Sequence, residues 1–222
     1  MLWYKAWLET RWRTLLFMSI MLFSLFQAHF QGHLTPGPGI LFALPVFWLI
    51  FPAALAGSGI ATESPFQPAK GTQGSIYFTL SLPIGRLRLL AGRALFGLAE
   101  VFAVIVVVSL VTAVAFPEIR NAVTLADACR YGITIWLCCS GTYGLSTFFS
   151  TFLNQQWQIW ATMGTVFLSR LLIGSDLFIF RAMAQESPLI THTLPLAAMA
   201  ASLGIGAAFF LAAARVVQTR QY

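Results

Sequence analysis

Charge is scarce in this sequence. Only 9% of its 222 residues are Asp, Glu, Lys or Arg, against about 25% in an ordinary soluble domain. A phosphate-binding G-x-x-x-x-G-K-[ST] loop is missing, and the only lysines, Lys5 and Lys70, follow no glycine-rich loop. That excludes the chain from being the ATPase of a P-loop machine, so any energy from ATP must come from another chain. Cysteine is sparse too. Cys129, Cys138 and Cys139 form no C-x-x-C or His–Cys spacing that would hold a metal. Cys138 and Cys139 read as small buried hydrophobes. No cleavable signal peptide is evident, because the first apolar run follows a basic, Trp-rich segment and is too long for a signal core. Internal repeats and low-complexity segments are absent.

What fills the chain instead is apolar residue. Hydrophobic types make up 58% of it and the mean hydropathy is +0.79. They are collected into six runs, Thr14–Gln31, Gly39–Ile60, Leu89–Phe116, Tyr131–Leu153, Trp157–Ser175 and Leu194–Val217. A helix of about 20 residues rises about 30 Å, the thickness of the bilayer hydrocarbon core. Only helices and closed barrels satisfy their backbone groups there. Barrel strands alternate polar and apolar residues, whereas these runs are apolar on every face. The expected fold is therefore an all-α integral membrane protein with six transmembrane helices, a single transmembrane domain over residues 1–222 with no room for an added soluble domain.

The net charge of +6 does not point to nucleic acid, because the basic residues follow membrane topology. With the N-terminus inside, Lys5, Arg11, Arg13, Lys70, Arg86, Arg88, Arg93, Arg215 and Arg220 are internal, and Arg120, Arg130, Arg170 and Arg181 are external. Nine against four places both termini in the cytoplasm by the positive-inside rule. The turn Asn154–Gln158, which this topology puts inside, carries no charge.

Between and before the runs lie four informative segments. Residues 2–13 read as an amphipathic interfacial helix, with Trp3 and Trp7 on one face and Lys5, Glu9 and Arg13 spaced by four on another. Pro45 and Pro52 are candidate kink points in the second run, and Gly57, Ser58 and Gly59 permit close helix approach at its end. The 61–88 loop is the longest cytoplasmic segment and contains a semi-apolar stretch, Ser75–Pro83, where water is expected. Such a stretch should dock, either on a partner or in the headgroup layer. The outer loop 175–193 mixes Phe178, Ile179, Phe180 and Met183 with Asp176, Arg181 and Glu186, and reads as a short re-entrant element.

Two kinds of polar residue stand out inside the runs. Glu100 lies about 16 Å along the third run from Leu89, near mid-membrane, where a carboxylate costs about 2.5–3.5 kcal/mol on insertion scales. It either lines a substrate path or fixes helix packing by a hydrogen bond. The fourth run carries Ser140, Gly141, Thr142, Gly144, Ser146 and Thr147, small residues that let helices pack closely. An intramembrane hydrolase needs a nucleophile with a base in reach. Ser58 is at the opposite face from His29, His33 and His192, and Ser140 has nothing else to mark it. His29 and His33, four apart, are two potential metal ligands without a third.

The stretch Glu63–Arg93, and above all Phe78-Thr79-Leu80-Ser81-Leu82-Pro83-Ile84-Gly85-Arg86 followed by Arg88 and Arg93, resembles the permeases of ABC-2-type transporters, also called type V ABC exporters. In that family the loop before the last four spans often reads Leu-Ser-Leu-Pro, then a small residue and basic residues. The layout of an N-terminal interfacial helix, six spans and short outer helices is similar over the whole chain. The resemblance implies a permease subunit of the bacterial cytoplasmic (inner) membrane that forms a homodimer or heterodimer and binds a separate ABC ATPase, which carries ATP and Mg. It implies a cytoplasmic coupling helix in the 61–88 loop, with Glu63, Lys70, Leu82, Pro83, Arg86 and Arg88 as transmission residues and Glu100 on the path. The substrate expected is hydrophobic or amphipathic, since the spans offer few charges. The chain departs from larger relatives in having no large extracellular domain and no fused cassette. The alternative is a six-span scaffold or assembly factor that transports nothing.

Overall fold

The computed structural model describes residues 2–30, 38–56, 85–153, 155–173, 181–182 and 186–219. Among them every regular element is a helix and there is no strand. In chain order these are α1 (Leu2–Phe30), α2 (Pro38–Leu55), α3 (Arg86–Ala115), α4 (Pro117–Ala122), α5 (Leu125–Ser150), α6 (Gln155–Ile173), α7 (Pro188–Thr191) and α8 (Leu196–Thr219). Two of them, over Leu87–Ala115 and Leu196–Thr219, are long and apolar enough to cross a membrane.

The first correction concerns α1. The interfacial helix expected over 2–13 is not a separate element: α1 runs unbroken for 29 residues, about 43 Å at 1.5 Å per residue. Its sequence explains why. No glycine or proline occurs before Gly32, and Thr14, a possible N-cap for a new helix, instead donates its hydroxyl back to Thr10 O at 3.2 Å. The hydroxyl is thus turned back inside the helix and is not free to cap a new one.

The second boundary change is at α5, which begins at Leu125 rather than near Tyr131. Thr124-Leu125-Ala126-Asp127 is a T-x-x-D capping box. The Thr124 hydroxyl accepts the Asp127 backbone N–H at 3.2 Å, which satisfies a donor the first helical turn cannot use. Pro117, whose missing N–H costs nothing in a first turn, likewise starts the short α4.

Side-chain contacts fix the direction of each long helix. Thr10 meets Glu100 and Phe26 meets Phe116, so α1 and α3 are parallel. Arg13 meets Ala54 and Phe17 meets Phe51, so α2 runs the other way. Trp136 reaches Leu98 and Tyr143 reaches Arg93, so α5 opposes α3. Cys139 on Trp48 and Ser146 on Ala53 make α5 parallel to α2. Gln158 on Ser146 turns α6 back along α5. Cys138 against Ser202 and Phe148 against Phe209 make α8 parallel to α5. The six long helices thus alternate in direction.

The core lies among α1, α2, α3 and α5, around Met21, Trp48, Phe51, Val101, Ile135 and Cys139. The seam between α5 and α8 is the closest. Gly141 faces Ser202, and the backbones of Ser140 and Gly144 face Gly206. A Cβ on Gly144 would stand 2.7 Å from Gly206 Cα, and one on Gly141 would stand 2.7 Å from Ser202 Oγ. Small residues here let two backbones touch, and Ser202 Oγ adds a 2.7 Å bond to Cys138 O. Of the small-residue stretch read in the fourth run, Ser140, Gly141 and Gly144 pack on the last helix, and Ser146 turns to α2. The outward faces are apolar: Val114 on α3 is 79% exposed and Leu172 on α6 is 82% exposed.

Candidate functional site

The last turn of a helix leaves carbonyls without intrahelical partners, and a buried helix end must find them elsewhere. The end of α2 is fully buried, from Phe51 to Ala56, and three other helices supply the donors. From α5, Ser146 Oγ donates to Ala53 O at 3.0 Å. From α1, the Arg13 guanidinium donates to Ala54 O at 3.2 Å. From α6, Gln158 Nε2 donates to Ala56 O at 2.6 Å, to Ser146 Oγ at 2.9 Å and, more weakly, to Ala53 O at 3.3 Å. Gln158 has no exposed surface.

One turn earlier, Pro52 lacks the N–H that would bond Trp48 O. The Cys139 thiol takes that carbonyl at 3.0 Å. Cys138 and Cys139 are both buried, as expected, and Cys139 has this second task. Cys129 is exposed.

Glu100 sits beside this junction. Its side chain is buried between α3 and α1, and Oε1 accepts the Thr10 hydroxyl at 2.5 Å. The Arg13 guanidinium and the Thr14 hydroxyl lie near it. The second oxygen, Oε2, is buried with no hydrogen-bond partner among the described residues. On α5, the hydroxyl end of the Tyr143 ring abuts Gly97, where a Cβ would meet ring carbons at 2.8–2.9 Å.

Of the residues implied for transmission, Glu63, Lys70, Leu82 and Pro83 lie outside the described residues. Arg86 opens α3, and its side chain is also outside them. Arg88, two residues later, is exposed. The described chain stops at Ala56, the residue whose carbonyl Gln158 holds, and resumes at Gly85. The hydrolase candidate Ser140 donates its hydroxyl to Leu137 O at 2.6 Å, within its own helix. Ser58 and His33, and the side chain of His29, are outside the described residues.

No family model matches this chain, and no characterised protein or solved structure does either. The reading of the site therefore rests on its own geometry.

A second polar cluster lies at the other end of α5. Asp127 is buried. Its Oδ1 accepts from Arg130 Nη1 at 2.9 Å, and its Oδ2 meets the Thr124 hydroxyl at 2.8 Å and His192 Nδ1 at 2.8 Å. Arg130 also donates to His192 O at 2.9 Å. The Thr124 hydroxyl first, and then the His192 ring, hold the Asp127 carboxyl below its ordinary pKa. His192 caps α7 in the left-handed region, with φ of 56°, a conformation that costs a non-glycine residue and persists when its surroundings hold it. A further ion pair, Arg181 Nε to Glu186 Oε1 at 2.7 Å, ties the expected outer loop to itself.

Reading the sequence alone missed Gln158, Asp127 and His192 as site residues. The T-x-x-D box pointed to Asp127, and Pro52 pointed to an orphaned carbonyl at Trp48. Nothing along the sequence pointed to Gln158, whose partners are about a hundred residues away.

Proposed function

We propose that this chain is the membrane subunit of an ATP-driven exporter of the ABC-2 type. In this reading it crosses the bacterial cytoplasmic membrane six times with both termini inside, and ATP is hydrolysed on a separate ATPase chain that docks on the 61–88 loop. The observation that carries the reading is the bonded end of α2. The described chain stops at Ala56, five residues before the proposed docking loop, and there α1, α5 and α6 all bond to the last turn of α2, so a push that reaches α2 would be passed to three other helices.

Three further observations support it. The six long helices alternate in direction, which is what six successive crossings require. Apolar side chains cover their outward faces, including Leu95, Leu110 and Val114 on α3 and Leu203 and Leu211 on α8. A soluble monomer rarely exposes such surface, whereas hydrocarbon solvates it. The nine-to-four distribution of basic residues fits the same orientation. Few charges face outward along the bundle, and the substrate we propose is hydrophobic or amphipathic, with the buried carboxylate of Glu100 near its path.

The test is purification of the chain from its native membranes in mild detergent, with identification of what accompanies it. A stoichiometric P-loop ATPase whose hydrolysis depends on this chain supports the reading. Loss of coupling between hydrolysis and transport on charge reversal of Arg86 and Arg88, with insertion intact, supports the role of the loop. Recovery without an ATPase, under conditions that keep a known ABC complex together, leaves a six-span scaffold as the function.

A further inference from the structure

We infer that Gln158 is a positioning residue, a strut that makes the end of α2 and the α5–α6 pair move as one body. The inference rests on the permease reading for what drives the motion, and on the structure for the strut itself.

Gln158 is on α6, yet its amide donates to two carbonyls of α2 and to a hydroxyl of α5. One buried side chain therefore joins three helices at a single point. Its partner Ser146 completes a closed arrangement, accepting from Gln158 and donating to Ala53 O. Other buried hydroxyls nearby are spent differently. Thr147 donates to Tyr143 O, Ser150 to Thr147 O and Thr162 to Gln158 O, all within their own helices. Only the Ser146–Gln158 pair reaches out to α2 among these. A helix end held in this way cannot shift along its axis without either breaking three bonds or carrying α5 and α6 with it. Breaking them leaves carbonyls unpartnered in a dry interior, which costs more than the bonds are worth in water. Carrying the neighbours is the lower path.

The far end of α5 provides a native reporter. Cys129 is exposed whereas Cys138 and Cys139 are buried. It lies 17 residues from Ser146, about 26 Å along the same helix. If α5 moves when ATP binds the partner, the rate at which Cys129 reacts with a membrane-impermeant maleimide changes.

The experiment uses the full chain with its co-purifying ATPase and compares Cys129 labelling with and without ATP and Mg. In the wild-type complex the two rates differ. In Gln158→Leu the difference is lost while the ATPase still binds and hydrolyses. In Ser146→Ala, which folds more readily because it removes only one hydroxyl, the difference is reduced. In Thr162→Ala, equally buried but bonded only within α6, it is unchanged. An ATP-dependent difference that survives both Gln158→Leu and Ser146→Ala overturns the strut and leaves the permease reading standing. A loss in Thr162→Ala equal to that in Gln158→Leu overturns it too, since general packing would then be the cause. A wild-type chain with no bound ATPase overturns the permease reading and the strut with it.

Discussion

The two ends of α5 hold their neighbours by different chemistry. Near its C-terminal end, Ser146 and Gln158 are fully buried, uncharged and directed at backbone carbonyls of α2. Near its N-terminal end, Asp127 is buried, but its partners Arg130 and His192 reach solvent, with side chains 43% and 68% exposed. Neutral bonds in a dry site are indifferent to salt and to pH. An ion cluster with one face in water answers to both. The first kind of contact suits a junction that must transmit displacement faithfully, and the second suits a contact that can loosen when the surroundings change.

That difference is sharpest when each end is broken in turn. Gln158→Leu is expected to have the largest effect on stability. It removes the two amide N–H groups shared among Ala53 O, Ala56 O and Ser146 Oγ, and the loss should be about 2 kcal/mol, partly offset because Oε1, which has no partner among the described residues, disappears as well. Resistance of the purified chain to unfolding by a denaturing detergent measures it, and an unchanged midpoint would show that the α2 carbonyls find other partners. Asp127→Ala should have a smaller effect on unfolding, yet a large local one. It frees the segment 186–195 from α5, so amide hydrogen exchange there rises while exchange at residues 146–158 stays as it was. Equal rises at both ends would mean that the two clusters are not independent.

The acid dependence separates the ends again. The pKa of Asp127 is lowered in the folded chain. Its contribution is therefore fully present above the unfolded carboxylate value, about 3.9, and is lost as pH falls through the lower folded value. From pH 8 down to 5 the protection of residues 186–195 that depends on Asp127 should hold, and it should fall only below that window. Asp127→Asn should abolish this acid step. Raising salt from about 0.05 M to 0.5 M, which shortens the screening length to a few ångströms, should loosen the same segment and leave the neutral contacts of Ser146 and Gln158 with α2 untouched. An acid step that persists in Asp127→Asn would assign it to another group.

Glu100→Gln should change little. The amide oxygen can still accept from Thr10, and the new amino group replaces an oxygen that has no partner among the described residues. Stability within about 1 kcal/mol of the parent is expected. A lost substrate-stimulated ATPase with unchanged stability would favour the path reading of Glu100, and a stability loss well beyond that would favour packing.

The helices were legible because hydropathy alone demands them, and each long one lies over its expected run. The continuity of α1 was legible as well, in the lack of any glycine or proline before Gly32, but the Trp-rich face of residues 2–13 suggested a separate surface helix. Asp127 was legible in T-x-x-D, a local signal. Gln158 was not, because its meaning is made by Ala53, Ala56 and Ser146, and no local pattern relates a glutamine to carbonyls of another helix. Pro52 lies between these cases. The sequence announces that a carbonyl four residues earlier is orphaned, and only the fold tells which side chain answers it.

That answer gives the most specific prediction. Cys139→Ala should cost about 1 kcal/mol, because Trp48 O is left buried without its donor. Pro52→Ala restores a backbone N–H that can bond Trp48 O within α2, as an ordinary helix would. In that background the thiol is no longer needed. The double variant Pro52→Ala/Cys139→Ala should therefore be more stable than the two single effects added together, and a double-mutant cycle reads the coupling directly. Additive effects would mean that the proline leaves no carbonyl for Cys139 to answer, and that the thiol is present only for its size.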